Sequence, residues 1–416
     1  MMIFFLYNVL LLLFFPFFLL VYIFQSVVSS KKRSGFFRKL GFYTNKDIKN
    51  PFIIHCVSVG ETLSVVPFVK KFSELINKDI VFTTTTDTGW AVASDKVKSY
   101  VKKIDYFPFD FIFSVIMFYT IYKPSCIILT ETEIWPNVIF IAKLKNIPIF
   151  IINGRISDRS FPKYKTFNFF FKTFLDYPYF LMQTESSKSR VIEMGALPEK
   201  TVVVGNIKYD VVLPQNIYKK ADFGFNEEDF VFLAGSTHDG EENIILNTFI
   251  RLKKKYQHLK LIIAPRHPER FFVVEKILIE NDETYVKRTE NKKVENIMIL
   301  NTIGELKNVY AICDIAFIGG SLVNIGGHNI IEPAIFEKPV LFGPFMSNFR
   351  DISEEFINNG AAIVVDNNNF YEVISTLIES ETLRLEMGKK AKQIVLRNTG
   401  SVNRTIDYIL ERLNAG

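Results

Sequence analysis

Two carboxylates stand where acid–base work on a hydroxyl group would need them. The first, Glu61, lies in the string His55, Cys56, Val57, Ser58, Val59, Gly60, Glu61, Thr62, which starts in an apolar strand pattern and ends where a helix should begin. The second, Glu131, opens Glu131, Thr132, Glu133, Ile134, Trp135, Pro136, Asn137, directly after the apolar run Ile127, Ile128, Leu129. Both are expected at carboxyl ends of strands, where open α/β sheets place their ligands. A carboxylate there can cap the helix that follows by accepting its N–H groups. It can equally act as a general base, and a converging pair would tune each other's proton affinity. For Glu61 the sequence leaves both roles open.

Complementary donors lie in the second half. Gly319, Gly320 and Ser321 follow the apolar run Ile315 to Ile318, and Gly326, Gly327, His328, Asn329, Ile330, Ile331, Glu332, Pro333 lead into an apolar helical pattern from about Ile330. Glycines at a strand-to-helix junction allow a tight turn and close approach, and a helix start offers unpaired N–H groups, so an anion site is expected. Glu332 would accept hydrogen bonds from ribose hydroxyls. Arg266 and His267 end another strand pattern, and an Arg fork suits phosphate, although an ion pair with Glu269 is the plainer alternative. Lys208, in Gly205 to Asp210, has the reach for a phosphate, and the segment Gly304, Glu305, Leu306 could hold a base ring through its backbone. His238 with Asp239 and His328 with Glu332 lack a zinc-ligand spacing such as H-E-x-x-H, so no metal site is expected. Neither a G-x-S-x-G elbow nor a P-loop occurs, which removes serine hydrolases and Walker-type NTPases.

These groups need scaffolds. Apolar runs at 52–57, 80–84, 104–107, 126–130, 147–152 and 180–183 alternate with amphipathic segments, and the pattern restarts at 230–234, 259–264, 297–300, 315–318, 339–342 and 362–365. Two successive β-α arrays predict two doubly wound, Rossmann-like α/β domains facing a cleft. The chain, 416 residues and 48% hydrophobic, is long enough for two cores. The predicted boundaries are an anchor over 1–30, an N-terminal domain over 31–213 and a C-terminal domain over 214–416, with a hinge near Pro214, Gln215 and Asn216. A net charge of +6 without an extended basic tract gives nucleic acid binding little support. Three cysteines, Cys56, Cys126 and Cys313, sit in or beside apolar runs and read as buried free thiols. Residues 1–24 are almost wholly apolar, long enough to cross a bilayer or to lie in one leaflet, and Lys31, Lys32 and Arg33 follow. By the positive-inside rule this predicts one N-terminal anchor in the inner (plasma) membrane with the domains on the cytoplasmic face.

In this order the motifs resemble the 3-deoxy-D-manno-octulosonic acid (Kdo) transferases of Gram-negative bacteria. The strings are Ser58 to Glu61, Glu131 to Asn137, Asn153 to Ser157, Gly205 to Asp210, Ser236 to Glu242, Pro265 to Arg270 and Gly319 to Pro333, behind an N-terminal anchor. The resemblance implies a GT-B glycosyltransferase that moves Kdo from CMP-Kdo to the lipid A precursor (lipid IVA), with no cofactor and no metal. It implies Glu61 as general base and Glu131 and Lys208 as transition-state stabilisers. Arg266, His267, Gly304, Glu305, Leu306, Asn329, Ile330, Ile331 and Glu332 would form the CMP site. Two alternatives keep the same elements: a nucleotide-sugar epimerase, and a membrane-tethered nucleotide-sugar sensor without turnover.

Overall fold

A computed structural model of the chain describes residues 2–28, 35–44, 47–158, 160–210 and 218–414. The basic triplet Lys31, Lys32, Arg33 and the expected hinge at 214–216 lie outside the described residues. The chain divides into two compact units, residues 1–210 with 399–416, and residues 211–398.

The first unit is built on β1 (Phe52–Cys56), β2 (Ile80–Thr84), β3 (Lys103–Tyr106), β4 (Cys126–Thr130), β5 (Ile149–Gly154), β6 (Tyr179–Met182) and β7 (Thr201–Val203). The strands pair in parallel in the order β3-β2-β1-β4-β5-β6-β7. Every residue of β1, β2, β4 and β5 is buried, as helices on both faces of a parallel sheet require. Successive side chains serve opposite faces: Ile53 and Ile127 join one core, Ile54 and Ile128 the other. The order reverses between β1 and β4, the topological switch point of a doubly wound sheet.

The second unit repeats the plan with β8 (Phe230–Thr237), β9 (Leu259–Pro265), β10 (Tyr285–Lys287), β11 (Ile297–Ile299), β12 (Ile315–Ile318), β13 (Val340–Phe342) and β14 (Ala362–Val364), ordered β10-β11-β9-β8-β12-β13-β14. Its switch point lies between β8 and β12. Two expectations are corrected here. Residues 399–416, expected in the C-terminal domain, belong to the first unit. The reason is the helix Ser401–Asn414, whose Val402, Ile406 and Ile409 enter the core beneath β1 and β4, while Asp210 accepts the N–H groups of Gly400 and Val402 at 2.5 Å each. The helix expected from about Ile330 is a single turn, Ile331–Ile335, which ends as Glu337 takes a left-handed conformation at φ 58°.

The N-terminal helix Met2–Val28 carries a stretch, Met2–Tyr22, long and apolar enough to cross a membrane. Cys56, Cys126 and Cys313 are buried and unpaired.

Candidate active site

In the first unit the chain leaves β1 through Val57 and enters the helix Val59–Leu75 with Ser58 as N-cap, its Oγ accepting the Glu61 N–H at 3.2 Å. The Glu61 carboxylate folds back over this start. Oε1 accepts the Ser58 hydroxyl at 2.8 Å; Oε2 accepts the Val57 N–H at 2.8 Å and faces the Thr130 hydroxyl at 2.9 Å. The capping role is therefore present. Thr130 ends β4, so the same carboxylate also ties the two strands that flank the switch point. The Thr130 proton has a second acceptor in the His55 carbonyl at 3.0 Å, so Glu61 can exchange this donor without stranding it.

Glu131 is the next residue after β4 and sits at φ +56°, a left-handed conformation that a non-glycine residue adopts at a cost. Its N–H bonds the Ile152 carbonyl at 2.9 Å, which holds the turn against β5. Burial raises its pKa, and the Glu61 charge adds to this, while Lys208 and Arg155 act the other way. The structure thus brings Glu61 and Lys208 each within electrostatic reach of Glu131. Lys208 lies in the short 3-10 turn Ile207–Tyr209, capped by Asn206, whose Oδ1 accepts the Lys208 N–H at 3.0 Å.

Four further residues belong to this site although the sequence reading gives them no role. Asn153, also left-handed at φ 54°, is the last residue but one of β5 and accepts the Ile207 N–H at 3.2 Å through its side chain. Gln183 donates to the Asn153 carbonyl at 2.9 Å and accepts from Asn206 at 3.1 Å, so the three amides fix the turn that carries Lys208. Glu133 is the fourth. Burial, then the charge of Glu61, pushes its carboxyl up to about 7 against a downward pull from Trp135. The signal for Glu133 was its place two residues from Glu131 in one motif.

In the second unit Arg266 and His267 extend from the end of β9, both exposed. Among the described residues Arg266 makes no ion pair, so the alternative pairing with Glu269 does not form. His267 lies 5.5 Å, ring to ring, from His238. His238 and His328 stack at 5.1 Å with their Nε2 atoms 2.8 Å apart, within hydrogen-bond distance. Burial first, then neighbouring cations, lowers both imidazoles, His328 to about 4, so both are neutral near pH 7. Asn329 accepts the Ile331 N–H at 3.0 Å and donates to Glu332 at 3.2 Å. Burial raises the Glu332 pKa, and Lys307 and Arg266 oppose it, which places Arg266, Lys307 and Glu332 in one electrostatic neighbourhood. Ile330 and Ile331 are fully buried, main chain included, and the Ile331 N–H is already accepted by Asn329, so neither residue presents a group to a ligand in this arrangement. Gly304 turns at φ 87° into open space, and Glu305 is held by the Thr302 hydroxyl at 2.5 Å and by Arg288 at 3.4 Å. Leu306 begins the short helix beside them.

The anion site expected on Gly319, Gly320 and Ser321 is corrected. Glu241, fully buried at the start of the helix Glu241–Lys255, accepts the N–H groups of His238, Gly320, Ser321 and Leu322 at 2.7–3.0 Å. Those donors are occupied by the protein's own carboxylate, and the one-turn helix Ile331–Ile335 is too short to supply a substantial dipole.

Two parallel seven-stranded sheets, each with carboxylates or cations at the switch point, define the GT-B class of two-domain nucleotide-sugar folds. Solved structures share this fold: an S. aureus MnaA–UDP co-structure at 18% identity, TM-score 0.57, covering 88% of this chain and 97% of that one, and the UDP-GlcNAc 2-epimerase of Neisseria meningitidis at 15%, TM-score 0.56, covering 88% and 100%. Residues 34–211 match the family model described as 3-deoxy-D-manno-octulosonic-acid transferase (kdotransferase). A 3-deoxy-D-manno-octulosonic acid transferase of Haemophilus influenzae is 33% identical over 92% of each chain. A bifunctional glycosyltransferase/methyltransferase of Fusobacterium nucleatum is 41% identical over 79% of this chain, which spans 52% of that relative's length. The chain belongs to the 3-deoxy-D-manno-octulosonic acid transferase family.

Proposed function

We propose that the protein transfers Kdo from CMP-Kdo to the lipid A precursor (lipid IVA) at the cytoplasmic face of the inner membrane, without a metal or a cofactor. The observation that carries this reading is Glu61 at the β1/β4 switch point with Glu131 beside it and Lys208 within electrostatic reach of Glu131, in a chain of this family. In the reaction an acceptor hydroxyl oxygen forms a bond to the Kdo anomeric carbon, the bond from that carbon to the CMP phosphate oxygen breaks, and the hydroxyl proton passes to Glu61. A carboxylate placed for this task contributes on the order of 10²- to 10⁴-fold. Glu61 reaches it by giving up the Thr130 hydroxyl, which turns to His55. Lys208 and Glu131 balance the charge that develops as the sugar gains oxocarbenium character.

CMP would lie against the second unit, its phosphate on Arg266 and His267, its ribose on Glu332 with Asn329, and its base along the backbone of Gly304, Glu305 and Leu306, with the buried Ile330 and Ile331 backing the turn that carries Asn329 and Glu332. Arg266 can grip a phosphate with its guanidinium fork, since among the described residues it makes no ion pair, and the neutral His238–His328 pair keeps one N–H for a ligand once the other is spent in their mutual bond. The acceptor's acyl chains hold it in the bilayer at about 0.8 kcal/mol per buried CH₂, so the enzyme must come to the membrane, and the N-terminal helix does this. The test is to incubate the purified full chain with CMP-Kdo and lipid IVA and to weigh the lipid. Addition of Kdo to the lipid is expected. CMP-Kdo isomerised with no lipid product would instead favour an epimerase, and binding without turnover a sensor.

A further inference from the structure

We propose that the N-terminal helix lies in the plane of one leaflet, clamped along its length to the first unit, and does not cross the bilayer. This rests on the membrane association proposed above and specifies its geometry. Both ends of the apolar stretch touch the same unit. Near its start Phe4 stacks on Phe140 at 3.8 Å, Tyr7 donates to the Asp110 carboxylate at 2.8 Å, and Asn8 donates to Asn137 at 2.9 Å. Near its end Phe15 meets Phe111 at 5.0 Å, Phe18 meets Phe109 at 5.1 Å, and Tyr22 stacks on Phe36 at 4.1 Å.

From residue 4 to residue 22 an α-helix rises about 27 Å, close to the roughly 30 Å hydrocarbon thickness of a bilayer. A crossing helix would therefore separate these two sets of contacts by a whole membrane. Asp110 cannot follow Tyr7 to the far side, because its carboxylate also accepts the N–H groups of Asn137 and Val138 at 3.1 and 3.2 Å, capping the helix Pro136–Leu144 of the core.

The sequence of the helix suits a clamp. Phe4, Asn8, Leu11, Phe15, Phe18 and Tyr22 recur at alternating steps of four and three, the seam of a helix packed on a partner. The side chains between them, Phe5, Leu12, Leu13, Phe17, Leu20 and Phe24, are each more than 55% exposed and wholly apolar. That second face would be a liability in water, and acyl chains are the occupant that suits an uninterrupted hydrocarbon surface of this length. The apolar surface continues onto the globular part, since exposed Phe113 edges onto Phe15 and exposed Phe37 onto Phe36. The polar residue Asn8 sits in the seam, bonded to the last residue of the Glu131 to Asn137 motif. The clamp thus sets the height of the carboxylate site above the leaflet that presents the acceptor.

A Met2→Cys variant of the full chain tests this, since Cys56, Cys126 and Cys313 are buried and silent to reagent. A membrane-impermeant maleimide is applied from outside to sealed spheroplasts and, separately, to inverted inner-membrane vesicles, with the protein tracked through fractionation. Labelling confined to inverted vesicles is expected, with the protein in the membrane fraction. Labelling from outside the spheroplasts overturns the in-plane helix and leaves membrane association standing, as does labelling that requires detergent in both preparations. Recovery of the protein in the soluble fraction overturns the membrane reading itself.

Discussion

Replacing Glu241 by Gln changes one atom of a buried side chain and should loosen the loop at Gly320 to Leu322 in the second unit. Oε1 accepts from Ser321 and Leu322 at 3.0 and 2.9 Å, and Oε2 from His238 and Gly320 at 2.9 and 2.7 Å. Gln retains one oxygen, so whichever way its amide turns, an NH₂ group faces two backbone donors and both bonds are lost. Hydrogen bonds to a charged acceptor contribute about 1.5–3 kcal/mol each, and an unpaired buried donor costs about as much again, so a local loss of about 3 kcal/mol is a lower bound. At 1.4 kcal/mol per tenfold, that corresponds to about 100-fold faster exchange of the amides at 320–322. Native-state hydrogen exchange read by peptide mass is the assay. Tryptophan fluorescence would report the wrong half, since Trp90 and Trp135 both lie in the first unit. Unchanged protection at 320–322 in Glu241→Gln would refute the reasoning, because it would mean that something other than this carboxylate holds those amides.

Three further outcomes are expected. Glu133 has a folded pKa raised to about 7 against an ordinary value of 4.5, so the folded state binds the extra proton between these values and its ionisation lowers stability as pH rises through that window. Glu133→Gln should therefore gain Tm relative to the parent between pH 5 and pH 8; a difference that stays flat or reverses speaks against the burial argument. In Gly388→Ala the new Cβ would meet the Glu337 carbonyl oxygen at 1.9 Å, a backbone atom that cannot swing aside. A destabilisation of about 1–3 kcal/mol by urea unfolding is expected, and a neutral result would show that the helix Glu381–Asn398 packs less closely than described. Asn153→Ala removes the acceptor of the Ile207 N–H and should slow transfer while leaving CMP binding intact, a split that steady-state and equilibrium binding measurements separate.

The fold class was legible because buried parallel strands are continuous apolar runs, and Phe52–Cys56 or Ile315–Ile318 can hardly be anything else in a chain punctuated this way. Thr201–Val203 and Tyr285–Lys287 escape such a reading: each is a three-residue edge strand, too short to carry a run. The return of residues 399–416 to the first unit is equally silent, since an amphipathic helix states that it packs and not on what. At the site, Glu61 and Glu131 were visible because strand ends adjoin turn and helix signals. The role of Glu241 was not, because its partners lie about eighty residues away and two glycines before a helix suggest an empty cradle rather than a filled one. The amide network of Asn153, Gln183 and Asn206 is likewise assembled from three separate strand ends.

The decisive measurement is the single-turnover rate of Kdo transfer to lipid IVA by Glu61→Gln and by the parent chain at equal CMP-Kdo occupancy. Gln keeps the size of the side chain and one acceptor for the local donors while removing the basic group. A fall of at least about 100-fold with unchanged CMP affinity is the predicted result. Transfer at close to the parent rate would contradict the account, and would leave the Glu61 carboxylate as a helix cap alone.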